Sequence, residues 1–293
     1  MAKIAMTLIP VFFALVATAP LAATPAPRAV VSDAPRDDAF PAMDRQLLVP
    51  SHGEGMNALL LAASGKGPHP VVILMHGLPG NERNFDLAQA IRRSGWDVLT
   101  FTYRGAWGSP GEFSISGAME DTGAALAFAR SPQGAGLGID ARRIVLAGHS
   151  FGGDAAAVTA AAGSGVEGLI LIDAVNLGAI ARRCTRTQLI ARLDDFGNAL
   201  RGTSPATIAD AILKDGRRWD IDADAAKLKA LPILTVTALH GGAVGNRATT
   251  EALRAAGNER VVAVEMDTDH AFADHRIALA TTVVQWLEKL PLQ

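Results

Sequence analysis

The sequence predicts an α/β protein: a mostly parallel eight-stranded sheet with helices on both faces and a helical cap inserted late in the chain. Three observations carry that expectation. Short apolar runs alternate with segments of helical pattern, as chained βα units do. The run Val71-Val72-Ile73-Leu74-Met75 is continuously apolar, which a strand buried on both faces requires. Almost sixty residues of helical, charged pattern separate the runs at 168–172 and 232–237, far more than a βα connection needs.

Taken in order, two early strands near Arg45–Pro50 and Asn57–Ala63 are joined by the turn Ser51-His52-Gly53-Glu54-Gly55. After the strand at 71–75 come a helix over about 85–93 and a strand at Asp97-Val98-Leu99-Thr100-Phe101. A helix over about 119–129 places Met119, Ala125, Leu126, Phe128 and Ala129 at roughly helical spacing. Asp140 starts the turn into the next strand. Strands follow at 168–172, 232–237 and 260–265, with helices near 249–256 and 277–290. Gly134-Ala135-Gly136-Leu137-Gly138 precedes a strand instead of following one, so it reads as an ordinary loop and not as a dinucleotide site.

At 293 residues the chain has room for one large domain or two small ones, and residues 42–293 read as one, with the cap at about 175–230. Hydrophobic residues make up 49% and charged ones 19%, the balance of a well-filled core rather than a disordered chain. A net charge of −2 without a basic cluster gives nucleic acid nothing to bind. Cys184 is the sole cysteine, which excludes an intrachain disulfide and a Cys-based zinc site.

The start of the chain reads as a leader rather than as part of the fold. Lys3 gives a positive start, Ile4 to Val16 is almost wholly apolar, and small residues from Ala17 to Ala23 offer cleavage sites near Ala22 or Ala23. Residues 1–23 are therefore expected to be a signal peptide of a secreted or periplasmic protein, with no stable membrane insertion after cleavage. Residues 24–41, rich in Pro, Ala and Asp, read as a flexible lead-in.

Chemistry concentrates in Arg143-Ile144-Val145-Leu146-Ala147-Gly148-His149-Ser150-Phe151-Gly152-Gly153. A short apolar run ends in Gly-x-Ser-x-Gly and leads into good helix formers, a strand, sharp turn and helix with Ser150 at the apex. Glycines flank the serine because a strained turn brings neighbouring backbone too close for side chains. The plainer alternative is a glycine-rich turn in which Ser150 only caps the helix.

Together with His76-Gly77-Leu78-Pro79-Gly80 after the strand at 71–75, this elbow resembles the α/β-hydrolase superfamily from about residue 42 to the end. The likeness is greatest to bacterial serine esterases and to acyl-aminoacyl and dipeptidyl peptidase-like hydrolases. Tyr103-Arg104-Gly105-Ala106-Trp107-Gly108-Ser109-Pro110-Gly111 and a late histidine follow in the family's order. The resemblance implies an oxyanion hole made by the backbone N–H groups of Leu78 and Phe151. Attack on a carbonyl creates such an oxyanion, and fixed donors hold it where water cannot compete.

Ser150 needs a base, and the sequence offers seven histidines. His52 and His69 fall in early loops, His76 and His149 within motifs, and His240 and His275 are poorly placed. His270 follows the last strand, in a loop that opens at the carboxyl ends of the strands beside the elbow, and is the expected base. The third member is less plain. The family usually places an acid just after the strand at 232–237, yet Ala238-Leu239-His240-Gly241-Gly242-Ala243-Val244-Gly245-Asn246 contains none. Asp173, at the end of the preceding strand, is the chosen acid; its alternative role is to tie down the start of the cap. Asp194, Asp195 and Asp222 are cap candidates, while Asp267 and Asp269 sit awkwardly close to His270.

The expected activity is hydrolysis of carboxylic esters, or of short peptides or amides, through an acyl-enzyme, with no metal or organic cofactor. The cap, mixing Ile, Leu and Phe196 with Arg residues, would wall the pocket, and Arg182, Arg183 or Arg186 could recognise acidic substrates. A non-catalytic binding protein is the contrary reading, motivated by the vacant acid position; an acyltransferase differs only in the final acceptor. The sequence leaves the oligomeric state open. N-terminal sequencing of the exported protein should find the first twenty-odd residues removed; an intact Met1 or Lys3 would favour a membrane anchor instead.

Overall fold

The computed structural model describes residues 25–193 and 199–291. The expected leader, and Asp194, Asp195 and Phe196 of the cap, lie outside the described residues. Eight strands form one sheet: β1 (Met43–Ser51), β2 (Glu54–Ala62), β3 (His69–Met75), β4 (Asp97–Phe101), β5 (Ile139–His149), β6 (Gly168–Ile172), β7 (Ile233–His240) and β8 (Val261–Asp269). Their spatial order is β1-β2-β4-β3-β5-β6-β7-β8. The pairs β1–β2 and β2–β4 are antiparallel and every later pair is parallel.

Alternation along the central strands divides the core in two. Val71, Ile73, Met75, Ile144, Leu146, Leu169 and Leu171 face one side. Val72, Leu74, Val145, Ala147, Ile170 and Ile172 face the other. The second side is covered by α2 (Phe85–Arg93) and α11 (Arg276–Glu288), through residues such as Leu87, Ile91, Leu279 and Val283. The first side is covered by α3 (Ile115–Ala129) and α5 (Phe151–Ala161). Helix α5 presents Ala155, Ala156 and Ala157 inward, all buried, and such small side chains let it lie close to the strands beneath.

Some boundaries differ from expectation for identifiable reasons. Helix α3 begins at Ile115 because Ser114 caps it, its Oγ accepting from Gly117 N at 3.0 Å. The glycine-rich stretch read as a loop holds a short helix, α4 (Pro132–Gly136), with Pro at its start and Ser131 Oγ accepting from Gly134 N at 3.2 Å. Residues 25–41, read as a flexible lead-in, carry α1 (Arg28–Val31), whose Ala29 and Val30 pack on the core formed by α2 and α11. Arg93 Nε donates to Ala29 O at 2.6 Å.

Among the described residues between β6 and β7 lie four α-helices, α6 (Leu177–Arg183), α7 (Arg186–Leu193), α8 (Pro205–Asp215) and α9 (Ile221–Asp224), the helical insertion expected from the spacing. The chain then reaches β7, α10 (Ala243–Ala255) and β8. The insertion is tied to the loop after β4: Arg201 N donates to Gly105 O at 2.7 Å, Trp107 N to Ala199 O at 3.0 Å, and Phe113 N to Arg201 O at 2.8 Å.

That loop is anchored from the other direction by a buried charge. Asp121 of α3, fully buried, accepts from Ser51 Oγ at 2.6 Å and from Arg104 N and Nε at 2.9 and 2.6 Å. Removing Asp121 leaves Ser51 Oγ and Arg104 N and Nε without this acceptor, while Arg104 Nη2 keeps Glu120 at 2.8 Å. Asp121→Ala should lower stability by about 2–4 kcal/mol in urea unfolding, with an unchanged midpoint contradicting this role.

Candidate active site

Four chain reversals bring the candidate residues to the carboxyl ends of the strands. Ser150 joins β5 to α5 with φ +55° and ψ −121°, a region that side-chain-bearing residues rarely adopt. Ser150 N donates to Ile172 O at 3.0 Å, and Val175 N donates to Ser150 O at 3.1 Å, so β6 pins the elbow in place. The flanking glycines are required by close approach. A Cβ on Gly148 would lie 2.1 Å from Gly152 C, and one on Gly152 would lie 2.5 Å from Met75 O. Phe151 is the first residue of α5, where helix N–H groups are free and the helix dipole favours negative charge. Neither Phe151 N nor Leu78 N donates a backbone hydrogen bond among the described residues.

Asp173 and His270 meet across 97 residues of sequence, His270 Nδ1 lying 2.5 Å from Asp173 Oδ2. Asp173 is fully buried and follows β6 with φ +38°. Its carboxylate is well supplied with donors. Ala238 N and Asn246 Nδ2 reach Oδ1 at 3.1 and 2.9 Å, and Gly242 N reaches Oδ2 at 2.8 Å. The acid-free stretch after β7 thus furnishes the donors for a carboxylate that comes from β6. Gly241 permits the approach, since a Cβ there would fall 2.2 Å from Asp173 Oδ2. A carboxylate accepting at Nδ1 fixes the proton on that nitrogen and leaves Nε2 bare, the tautomer a base needs.

Ser150 and His270 both line a cavity of about 380 Å³, together with Gly77, Leu78 and His149. They are not hydrogen-bonded to each other in this arrangement; such pairs often tighten only around substrate. The residues lining this cavity come from the loop after β3, the elbow and the ends of β7 and β8.

Two further histidines are buried close to these elements. His149 is buried, its ring centroid 4.6 Å from that of His270, and its Nε2 lies 2.7 Å from His270 O. A carbonyl only accepts, so Nε2 carries the proton and the ring donates to the backbone of the loop bearing His270. Burial, reinforced by His270 nearby, lowers its pKa to about 4. His76 is buried likewise, its pKa lowered to about 4 by burial, while its Nδ1 donates to Gly77 O at 2.7 Å.

These elements match a known pattern. A family model described as the alpha/beta hydrolase fold matches residues 70–212. The chain has the alpha/beta hydrolase fold. The solved structures that share it include a hyperthermophilic esterase from the archaeon Pyrobaculum calidifontis. That structure is 20% identical over 87% of this chain and 88% of its own, with a TM-score of 0.64. A carboxylesterase cloned from a metagenomic library is 21% identical over 86% and 91%, at 0.61. A 2,6-dihydroxy-pseudo-oxynicotine hydrolase is 18% identical over 86% and 68%, at 0.62. At such identities the likeness is one of fold. No curated protein sequence matches the chain.

Within this hydrolase fold most of the remaining candidates have other partners. His240 pairs with Asp267 at 2.7 Å on the surface, and Asp269 Oδ1 accepts from Ala273 N at 2.9 Å. Asp222 accepts from Thr249 Oγ1 at 2.7 Å. Arg186 is held by both oxygens of Asp210 and Arg182 pairs with Asp220, whereas Arg183 is exposed and forms no ion pair among the described residues. Asn246 and His149 were not singled out as site residues by sequence. The Gly241-Gly242 pair after a strand was the available signal for close backbone approach there. Among the described residues, no group of three or more His, Cys, Asp or Glu could hold a metal ion, and no helix is long and apolar enough to cross a membrane.

The two buried rings should remain neutral at neutral pH. In NMR titration neither His76 nor His149 should protonate between pH 8 and about 5, each keeping the tautomer named above. A midpoint near 6.5 for either ring would contradict its burial.

Proposed function

We propose that the protein is a serine hydrolase that cleaves carboxylic esters, with short peptides or amides as the next class, through an acyl-enzyme on Ser150. The observation that carries this reading is the His270–Asp173 pair, its carboxylate oriented by three further hydrogen bonds, beside a serine held in a strained elbow. Ser150 Oγ attacks the ester carbonyl as its proton passes to His270 Nε2. The oxyanion forms against the N–H groups of Leu78 and Phe151, and its collapse expels the alcohol, which takes the proton back from His270. Water then repeats the sequence on the acyl-enzyme and releases the carboxylic acid. Asp173 stabilises the transient imidazolium and fixes its orientation.

The small-molecule ester or peptide is the sole partner in this scheme, and the protein acts outside the cytoplasm once its leader is removed. The binding-only alternative drew its force from the missing acid after β7, and the carboxylate on His270 supplies a reason to set it aside. A fluorophosphonate probe should label Ser150. Ser150→Ala should fold normally and lose p-nitrophenyl ester hydrolysis by about 10⁴-fold or more. His270→Ala should be similarly damaging, and Asp173→Asn should lower kcat by roughly 10²–10⁴-fold. More than a tenth of wild-type activity in Ser150→Ala would remove the serine from the mechanism, and a near-wild-type Asp173→Asn would remove the acid.

A further inference from the structure

A separate cleft of about 260 Å³ lies at the ends of β3 and β4, and neither residues of the loop 77–80 nor Ser150 line it. Its walls include Asn57, His76, Arg83, Phe85, Thr102 and Trp107. Three of these grip the loop itself. His76 Nδ1 bonds Gly77 O at 2.7 Å, Trp107 Nε1 donates to Pro79 O at 2.6 Å, and Arg83 Nε donates to Gly80 O at 3.2 Å.

The lining has the character of a site kept for a ligand. Arg83 makes no ion pair among the described residues, and partial burial alone lowers its pKa. A half-buried cation without a counter-ion is costly unless something fills that place. Its Cζ sits 4.7 Å from the centroid of Trp107, a ring that remains 39% exposed, while Phe85 opposite in the lining is 43% exposed. Trp107 is not exposed through looseness. Its N–H is bonded to Ala199 O and its φ is +46°, strain that a bulky residue bears only where the surroundings impose it. His76, which also lines this cleft, has its Nε2 buried without a hydrogen-bond partner.

We propose that this cleft is a second binding site, for a small aromatic carboxylate, and that its occupant acts on Leu78 through the three bonds its walls give to the loop. The single unpaired guanidinium selects one negative charge, and the exposed rings favour a flat apolar body. The volume is below the range of about 300–1,000 Å³ usual for drug-sized ligands, which suits one ring with its carboxylate. The coupling to Leu78 rests on the oxyanion role proposed above; the binding does not.

Benzoate is the probe, titrated calorimetrically into the full-length Ser150→Ala protein. Saturable binding is expected, with benzyl alcohol at least about tenfold weaker and Arg83→Gln lowering benzoate affinity at least about tenfold. Phe85→Ala, whose ring makes no bond to the loop, should also weaken it several-fold and controls for loop collapse. No saturable binding, equal affinity for benzyl alcohol, or unchanged affinity in either variant overturns the site. With Ser150 intact, benzoate should change kcat for p-nitrophenyl acetate at saturating ester. A pure KM effect, equal in wild type and Arg83→Gln, would place benzoate in the Ser150 cavity and overturn the coupling.

Discussion

The site is organised by one unfavourable act made tolerable: the complete burial of the Asp173 carboxylate. Taking an ionised carboxylate out of water costs several kcal/mol unless donors replace the lost hydration. Here they come from three places at once, the end of β7, the start of α10 and the loop after β8. Meeting that demand fixes the relative positions of all three. It also explains local sequence that otherwise looks arbitrary: Gly241, where a side chain would strike the carboxylate, and Asn246, whose amide completes its shell. His270 is positioned as a by-product of satisfying Asp173.

Much of this was legible because the sheet is buried on both faces. Strands of that kind must be apolar at every position, so β3 and β6 announce themselves, and the elbow follows from its glycines. The helical insertion was visible as excess length. Contacts set by tertiary proximity were harder. The acid could be chosen only as the remaining carboxylate at a strand end, because the donors that make it suitable lie 65 to 73 residues further along the chain. His149 reads in sequence as the variable position of a motif, yet its ring supports the backbone of His270, a relation that spans 121 residues. Arg182 and Arg186 looked like free cations because sequence does not disclose that Asp220 and Asp210 stand opposite them.

The loop 77–80 draws its rigidity from side chains rather than from strand pairing. Carbonyls at Gly77, Pro79 and Gly80 each accept from a side chain, while Leu78 N donates no backbone hydrogen bond among the described residues. Polarising a loop in this way is a general means of aiming an N–H group, since a peptide held by its oxygens has few ways left to turn.

The stitches between residues 199–201 and the loop after β4 bear on how esters would arrive. Three backbone hydrogen bonds fasten the insertion to the body at this end. Were esters to enter from this side, the backbone hydrogen bonds of Trp107, Phe113 and Arg201 would have to break before this end of the insertion could lift.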